Sequence, residues 1–189
     1  MEKKDLKPAG VFKYFEEICQ VPRPSKKEEK MIAYLKAFGA KHNLETKVDE
    51  AGNVLIKKPA TPGKENLQTV VLQSHIDMVC EKNNDVQHDF LTDPIETEID
   101  GEWLKAKGTT LGADNGIGVA TELAILADDS IEHGPLECLF TVDEETGLTG
   151  AFELKEGFMS GDILLNLDSE DEGEIFIGCA EYAGKSRGV

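Results

Sequence analysis

Apolar residues recur at helical spacing in two stretches near the start of the chain. In residues 11–19 they fall at i, i+1, i+4, i+7 and i+8, which places one apolar stripe on a helix that ends before Pro22 and Pro24. Residues 25–42 open with Ser-Lys-Lys-Glu, the form of a capping box, and continue with helical periodicity. We expect both helices to pack on a sheet.

Runs of β-prone residues follow these helical patterns. Residues 69–72 are continuously apolar, as expected for a central strand covered on both faces. A third helix is predicted at 115–127, after a glycine-rich turn. This alternation predicts an α/β fold with a mixed, mostly parallel sheet flanked by helices. The other predicted strands are residues 44–49, 53–58, 95–99, 103–106, 136–142, 163–167 and 174–179.

The charge of the chain narrows the classes of partner. Among its 189 residues, 37 Asp and Glu face 20 Lys and Arg, for a net charge of -17. Nucleic acids and anionic membranes would repel such a chain, so we expect neither as a partner. No apolar stretch is long enough to span a membrane, and the charged start does not resemble a signal peptide. A cytoplasmic protein is the expectation.

The four cysteines are expected to be reduced thiols. They are far apart in sequence and form no C-x-x-C pair. Three histidines lie in polar settings, where surface positions are expected rather than metal binding. These histidines are His42, His88 and His133.

Acidic and imidazole side chains stand at the points where predicted strands end or the third helix begins. In open α/β sheets, ligands bind outside the carboxyl ends of the strands, so one crevice would collect these groups. We therefore expect them to lie close together. The six residues are His75, Asp77, Asp114, Glu144, Glu145 and Asp168.

Five of the six are carboxylates, and their mutual repulsion indicates a bound cation. Two unit charges about 4 Å apart repel by roughly 4 kcal/mol at an effective dielectric of about 20, so such groups must take up protons or bind cations. One imidazole among oxygen ligands favours zinc, with cobalt or manganese as alternatives, over magnesium or calcium. The sequence therefore predicts a transition-metal site.

Spacing within the six suggests separate roles. Asp77 lies two residues after His75, so it can accept a hydrogen bond from the imidazole nitrogen that does not touch the metal. Glu144 and Glu145 are adjacent and would project oppositely from an extended chain. One of them could then bind metal while the other faces the substrate as a base.

Four short motifs that contain these residues occur in a fixed order. They are S-H-I-D-M-V at 74–79, L-G-A-D-N-G-I-G at 111–118, D-E-E-T-G at 143–147 and N-L-D-S-E-D at 166–171. Together they resemble the two-zinc aminopeptidase and carboxypeptidase family, and especially its aminoacyl-histidine dipeptidase branch. The resemblance runs from the first predicted helix to about Ala180.

This resemblance implies a role for each of the six residues. Two zinc ions per complete active site would be bridged by Asp114, with His75 and Asp168 completing the first site and Glu145 binding the second ion. Glu144 would be the general base and Asp77 the partner that orients His75. The implied reaction is hydrolysis of small peptides, dipeptides of the Xaa-His type, by a zinc-activated water. A cis Asp114–Asn115 peptide is typical of the family.

The resemblance also implies a lid domain and a further metal ligand that residues 1–189 do not include. In the family a lid domain follows the strand that corresponds to 174–179, and a later segment returns a final His to the second zinc. We expect residues 1–180 to form the N-terminal part of the catalytic domain, which would be incomplete, and residues 181–189 to form a linker toward the lid. The chain alone would then bind zinc weakly or at one site, hydrolyse peptides poorly, and expose apolar surface that favours self-association.

Two other functions remain open at this point. An amidase of the aminoacylase or carboxypeptidase type would use the same two-metal centre on other amide bonds. A non-catalytic metal-binding fragment is the alternative from a different class.

Overall fold

A five-stranded sheet forms the centre of the protein in the computed structural model, which describes residues 2–169 and 173–177. Helices α1, α2 and α3 pack together on it, and a 3-10 helix, Lys3–Asp5, precedes them. The helices are α1 (Ala9–Cys19), α2 (Glu29–Lys41), α3 (Ala113–Ala127) and α4 (Thr149–Phe152). The strands are β1 (Glu45–Val48), β2 (Val54–Lys58), β3 (Val70–His75), β4 (Thr97–Asp100), β5 (Trp103–Ala106), β6 (Leu136–Thr141) and β7 (Ile163–Asn166).

The sheet has the strand order β1-β2-β6-β3-β7. Strand β3 pairs in parallel with both β6 and β7, whereas β2 is antiparallel to both β1 and β6. Four of the five strands therefore run in the same direction, and the predicted mixed, mostly parallel sheet is confirmed. Strands β4 and β5 form a separate hairpin around Asp100 and Gly101, as their spacing predicts.

The core lies mainly between one face of the sheet and helices α1, α2 and α3. Alternate residues of β3 and β6, such as Leu72 and Phe140, face these helices and are buried with Phe15 and Leu35. The intervening residues face a smaller apolar cluster on the opposite side. Because both faces are covered, β6 is buried along its whole length, including its polar residues Glu137 and Thr141.

The start of α2 differs from the predicted capping box. The helix begins at Glu29, and the Ser25 hydroxyl does not cap it but donates to Asp77 Oδ2 at 2.7 Å. Glu28 Oε1 instead accepts the backbone N–H groups of Lys26 and Asp143. The capping-box prediction is wrong because both polar side chains bind partners distant in sequence or outside the helix.

The end of the described chain departs from the predicted pattern as well. Residues 174–177 form no strand, so the predicted strand 174–179 is wrong over that part, and residues 178 and 179 lie outside the described residues. The predicted linker 181–189 also lies outside them. Strand β7 stands at the end of the sheet in the described part, and its side chains Ile163, Leu164 and Leu165 are 40%, 47% and 48% exposed.

Three of the four cysteines lie within the described residues. Cys19, Cys80 and Cys138 are free, and Cys19 and Cys138 are buried, whereas Cys179 lies outside the described residues. Over the described ranges, no helix has the length and apolar character needed to cross a bilayer.

Candidate metal centre

Three adjacent parallel strands bring most of the predicted site residues to one edge of the sheet. His75 is the last residue of β3, Glu144 and Glu145 follow β6, and Asp168 follows β7. Since β6, β3 and β7 are neighbours that run in the same direction, their carboxyl ends meet. Asp114 joins them from the first turn of α3.

The imidazole of His75 lies at the centre of this group. Its Nε2 atom is 3.1 Å from Asp114 Oδ1, 3.9 Å from Asp168 Oδ2 and 4.0 Å from Glu144 Oε2. In each of two sets that include His75, the potential ligand atoms lie within 4.8 Å of one another. These sets are His75 with Asp114 and Glu145, and His75 with Glu144 and Asp168.

Asp77 connects the imidazole to the turn that follows β6. Its Oδ1 atom lies 3.3 Å from His75 Nδ1 and accepts the backbone N–H of Glu144 at 3.0 Å. Its Oδ2 atom accepts the N–H of Glu145 at 3.2 Å and the hydroxyl of Ser25. Burial would raise the pKa of Asp77, but His75 and these donors outweigh it and lower the pKa to about 2. Asp77 is therefore a fixed carboxylate that faces the far side of the imidazole.

Glu144 and Glu145 do not lie in an extended chain. Strand β6 ends at Thr141, Asp143 has a left-handed φ of 51°, and the N–H groups of Gly147 and Leu148 donate to the carbonyl of Glu144. The prediction that Glu144 and Glu145 project oppositely assumed an extended chain, and that assumption is wrong. The turn nevertheless separates the two carboxylates, because Glu145 falls in the set with Asp114 and Glu144 in the set with Asp168.

The electrostatics of the site suit a bound cation. Burial lowers the pKa of His75, but Asp77, Asp168 and Asp114 outweigh it and raise that pKa to about 9. Burial, together with neighbouring carboxylates, raises the pKa values of Glu144, Glu145 and Asp168. These acids are thus crowded in a partly buried site, and an imidazole with carboxylate oxygens is a donor set that zinc accepts.

Sequence reasoning missed the residues that shape the turn after β6. The Asp143 carboxylate accepts the hydroxyls of Thr146 and Thr149, and Asp143 N–H donates to Glu28 at 2.9 Å. The sequence pattern also did not indicate that Ser25 donates to Asp77. The contacts of Asp143 with Glu28 and of Ser25 with Asp77 join residues that are distant in sequence, so no local pattern could have identified them.

The remaining described histidines lie elsewhere and are each partly buried. His42 stacks on Phe38, His88 packs against Phe90, and the Nδ1 of His133 is 2.7 Å from its neighbour's carbonyl oxygen. None of the three belongs to a potential metal-ligand set among the residues that the structure describes.

Comparison with known proteins identifies the class to which this fold and site belong. The model of peptidase family M20/M25/M40 matches residues 71–180, more than half of the 189 residues. The chain belongs to this family, and the resemblance drawn from the four motifs is confirmed.

Two relatives are similar over nearly all of the chain. The cytosol non-specific dipeptidase of Escherichia coli strain K12 is 52% identical over 95% of this chain and 37% of its own length. The crystal structure of aminoacylhistidine dipeptidase from Vibrio alginolyticus is 56% identical, with a TM-score of 0.92, over 95% of this chain and 36% of that one. The chain therefore spans little more than a third of the length of these relatives.

A more distant structure has the same fold. Aminopeptidase PepT from Bacillus cereus is 26% identical and has a TM-score of 0.73, over 86% of this chain and 43% of that one.

Proposed function

We propose that this chain supplies metal-binding and proton-transfer residues for the hydrolysis of dipeptides, of the Xaa-His type. The observation that carries the proposal is that His75 shares one set of potential ligand atoms with Asp114 and Glu145 and another with Glu144 and Asp168. The names of the two most similar relatives described above, both dipeptidases, support the substrate class. The word "cytosol" in one of those names supports a cytoplasmic location.

Four of the six residues would hold two zinc ions. Asp114 would bind both ions, His75 and Asp168 would complete the first site, and Glu145 would bind the second ion. When bound, zinc polarises a substrate carbonyl and lowers the pKa of water, and cobalt or manganese could replace it.

Glu144 would be the general base. Its side chain is 30% exposed, so it can meet a substrate, and its Oε2 atom is 4.0 Å from His75 Nε2. Glu144 would take a proton from the attacking water and return it to the leaving amine. Asp77, which faces His75 Nδ1, would keep the imidazole oriented with Nε2 toward the ions.

We predict one tightly bound zinc per chain. In this assignment the first ion has three ligands, whereas the second has only Asp114 and Glu145 among the described residues, fewer than catalytic zinc sites usually have. Isothermal titration of the chelator-treated chain should show one strong site and a much weaker second one. Asp114→Asn should abolish the strong site, and two tight zincs in the unsubstituted chain would contradict the assignment.

A substrate panel tests the reaction itself. The zinc-loaded chain is incubated with unblocked dipeptides, including Xaa-His peptides, and with N-acyl amino acids, and the released amines are measured. We expect slow, zinc-dependent release from the dipeptides, because the second ion is weakly held. Faster hydrolysis of N-acyl amino acids would indicate an amidase instead. Tight zinc binding with no hydrolysis of either class would indicate a non-catalytic metal-binding fragment.

Self-association is a further part of the proposal. The exposed Ile163, Leu164 and Leu165 of β7 support it, because an apolar strand at the end of a sheet can pair with another chain.

A further inference from the structure

Arg23 is a buried guanidinium that contacts three backbone carbonyl groups. It lies between α1 and α2, is 2% exposed, and donates from Nη1 to the carbonyls of Ile76 and Asp77, each at 3.1 Å. Its Nη2 atom donates to the carbonyl of Gly112 at 2.5 Å. A planar guanidinium with five donors can bind acceptors on two segments at once.

The three carbonyls belong to the two segments that bring His75 and Asp114 together. Ile76 and Asp77 directly follow His75 at the end of β3, and Gly112 precedes α3 by one residue. The closest contact between the two segments' metal-ligand candidates is the 3.1 Å approach of His75 Nε2 to Asp114 Oδ1. Arg23 thus links the backbone at the end of β3 to the backbone before α3.

Two glycines leave space for this guanidinium. A Cβ atom on Gly112 would lie 2.6 Å from Arg23 Nη2, and one on Gly116 would lie 2.7 Å from the same atom. Gly112 also has a left-handed φ of 67°. These two glycines of the 111–118 motif therefore leave room for the Arg23 side chain, which gives a physical reason for part of that pattern.

The charge of Arg23 also acts on the acidic site. The guanidinium donates to carbonyl oxygens, and the carboxylates of Asp77 and Glu145 lie close enough to stabilise its charge. In return, a fixed positive charge behind the site reduces the repulsion among these acids.

We propose that Arg23 is a positioning residue for the metal site: it holds the end of β3 and the turn before α3 together, and so sets the zinc affinity of the His75–Asp114 pair. This inference rests on the metal site of the proposed function. It adds a residue that contacts neither metal nor substrate and acts through the backbone of the ligands.

The test compares the zinc affinity of the 189-residue chain and of its variants by competition with a chelator. Arg23→Met should weaken the tight site by about 10–100-fold, the range typical of residues that orient metal ligands. Arg23→Lys keeps the charge but offers a compact ammonium, so we expect an intermediate affinity. The visible spectrum of the Co²⁺-loaded chain should change in Arg23→Met, because the ligand geometry changes.

Lys58→Met is the matched control. Lys58 is also a buried cation that donates to backbone carbonyls, those of Ile125 and Asp128, but at the far end of α3. This variant should lose stability and keep both the zinc affinity and the Co²⁺ spectrum. An equal loss of zinc affinity in Lys58→Met would show that Arg23 acts only through general stability, and would overturn the inference.

The remaining outcomes separate this inference from the proposed function. No zinc binding by the unsubstituted chain would refute the metal site itself. Tight zinc in the unsubstituted chain together with unchanged affinity in Arg23→Met would refute only the role of Arg23. If circular dichroism shows that Arg23→Met does not fold, Arg23→Lys decides, because unchanged affinity there would exclude a role for the planar side chain.

Discussion

Replacing Glu144 by Gln is expected to reduce zinc-dependent dipeptide hydrolysis by about 10²–10⁴-fold while the tight zinc remains bound. The amide has nearly the shape of the carboxylate but cannot take up a proton. Glu144 is also absent from the proposed ligand set, so its loss should leave the ligands in place. Hydrolysis rates and zinc content would be measured on the same zinc-loaded preparation.

The adjacent residue provides the contrast for this variant. Glu145→Gln should weaken the second, looser zinc, because Glu145 is one of the two ligands proposed for it. Glu156→Gln, the same change at an exposed position, should alter neither property. Retained turnover in Glu144→Gln would exclude the base role, and loss of the tight zinc would make Glu144 a ligand.

The second large effect is expected at Glu122, a completely buried carboxyl group on α3. It is 0% exposed and lies beside Ser74 and Cys138. Burial raises the pKa of Glu122 well above its ordinary value, and the smaller opposing effects of Ser74 and Cys138 do not reverse this. In the folded protein Glu122 is therefore a neutral acid to a much higher pH than in the unfolded chain.

This difference predicts how stability depends on pH. An acid whose pKa is raised by folding favours the folded state fully below its unfolded pKa, near 4.5, and this contribution is lost as the pH rises toward the folded value. The slope approaches about 1.4 kcal/mol per pH unit, the value for one proton. Glu122→Gln removes this titration, so its stability relative to the unsubstituted chain should increase steadily with pH.

Urea unfolding at several pH values from 5 to 8, with a chelator present, measures this difference. Subtracting the two curves cancels the titration of all other groups, including the acids of the metal site. Glu156→Gln should give a curve parallel to that of the unsubstituted chain. A parallel curve for Glu122→Gln as well would mean that Glu122 titrates normally in the folded protein.

Much of the fold could be predicted from local patterns. The stripes of α1 and α3 and the apolar runs of β3 and β6 reflect burial of single elements, which periodicity reports directly. The start of α2 could not be predicted in this way. Ser25 has the local spacing of a cap, but a stronger partner, the Asp77 carboxylate, lies far away in sequence.

The six candidate site residues could be identified because strand ends of a parallel sheet share an edge. What the sequence could not show is how each group is held. The turn after β6 depends on Asp143 accepting two threonine hydroxyls, and the turn before α3 depends on Arg23. The Arg23 contact joins segments that are distant in sequence, and only the folded chain shows it.

The strand that delivers Asp168 is also the one least protected by the rest of the molecule. Within the described residues β7 is attached to the sheet through β3 alone, and all four of its residues are exposed. Fraying of this strand would carry Asp168 away from His75 without opening the core. Ion occupancy and the closing of β7 would then be one linked equilibrium, in which slow amide-hydrogen exchange along β7 accompanies slow release of the ion.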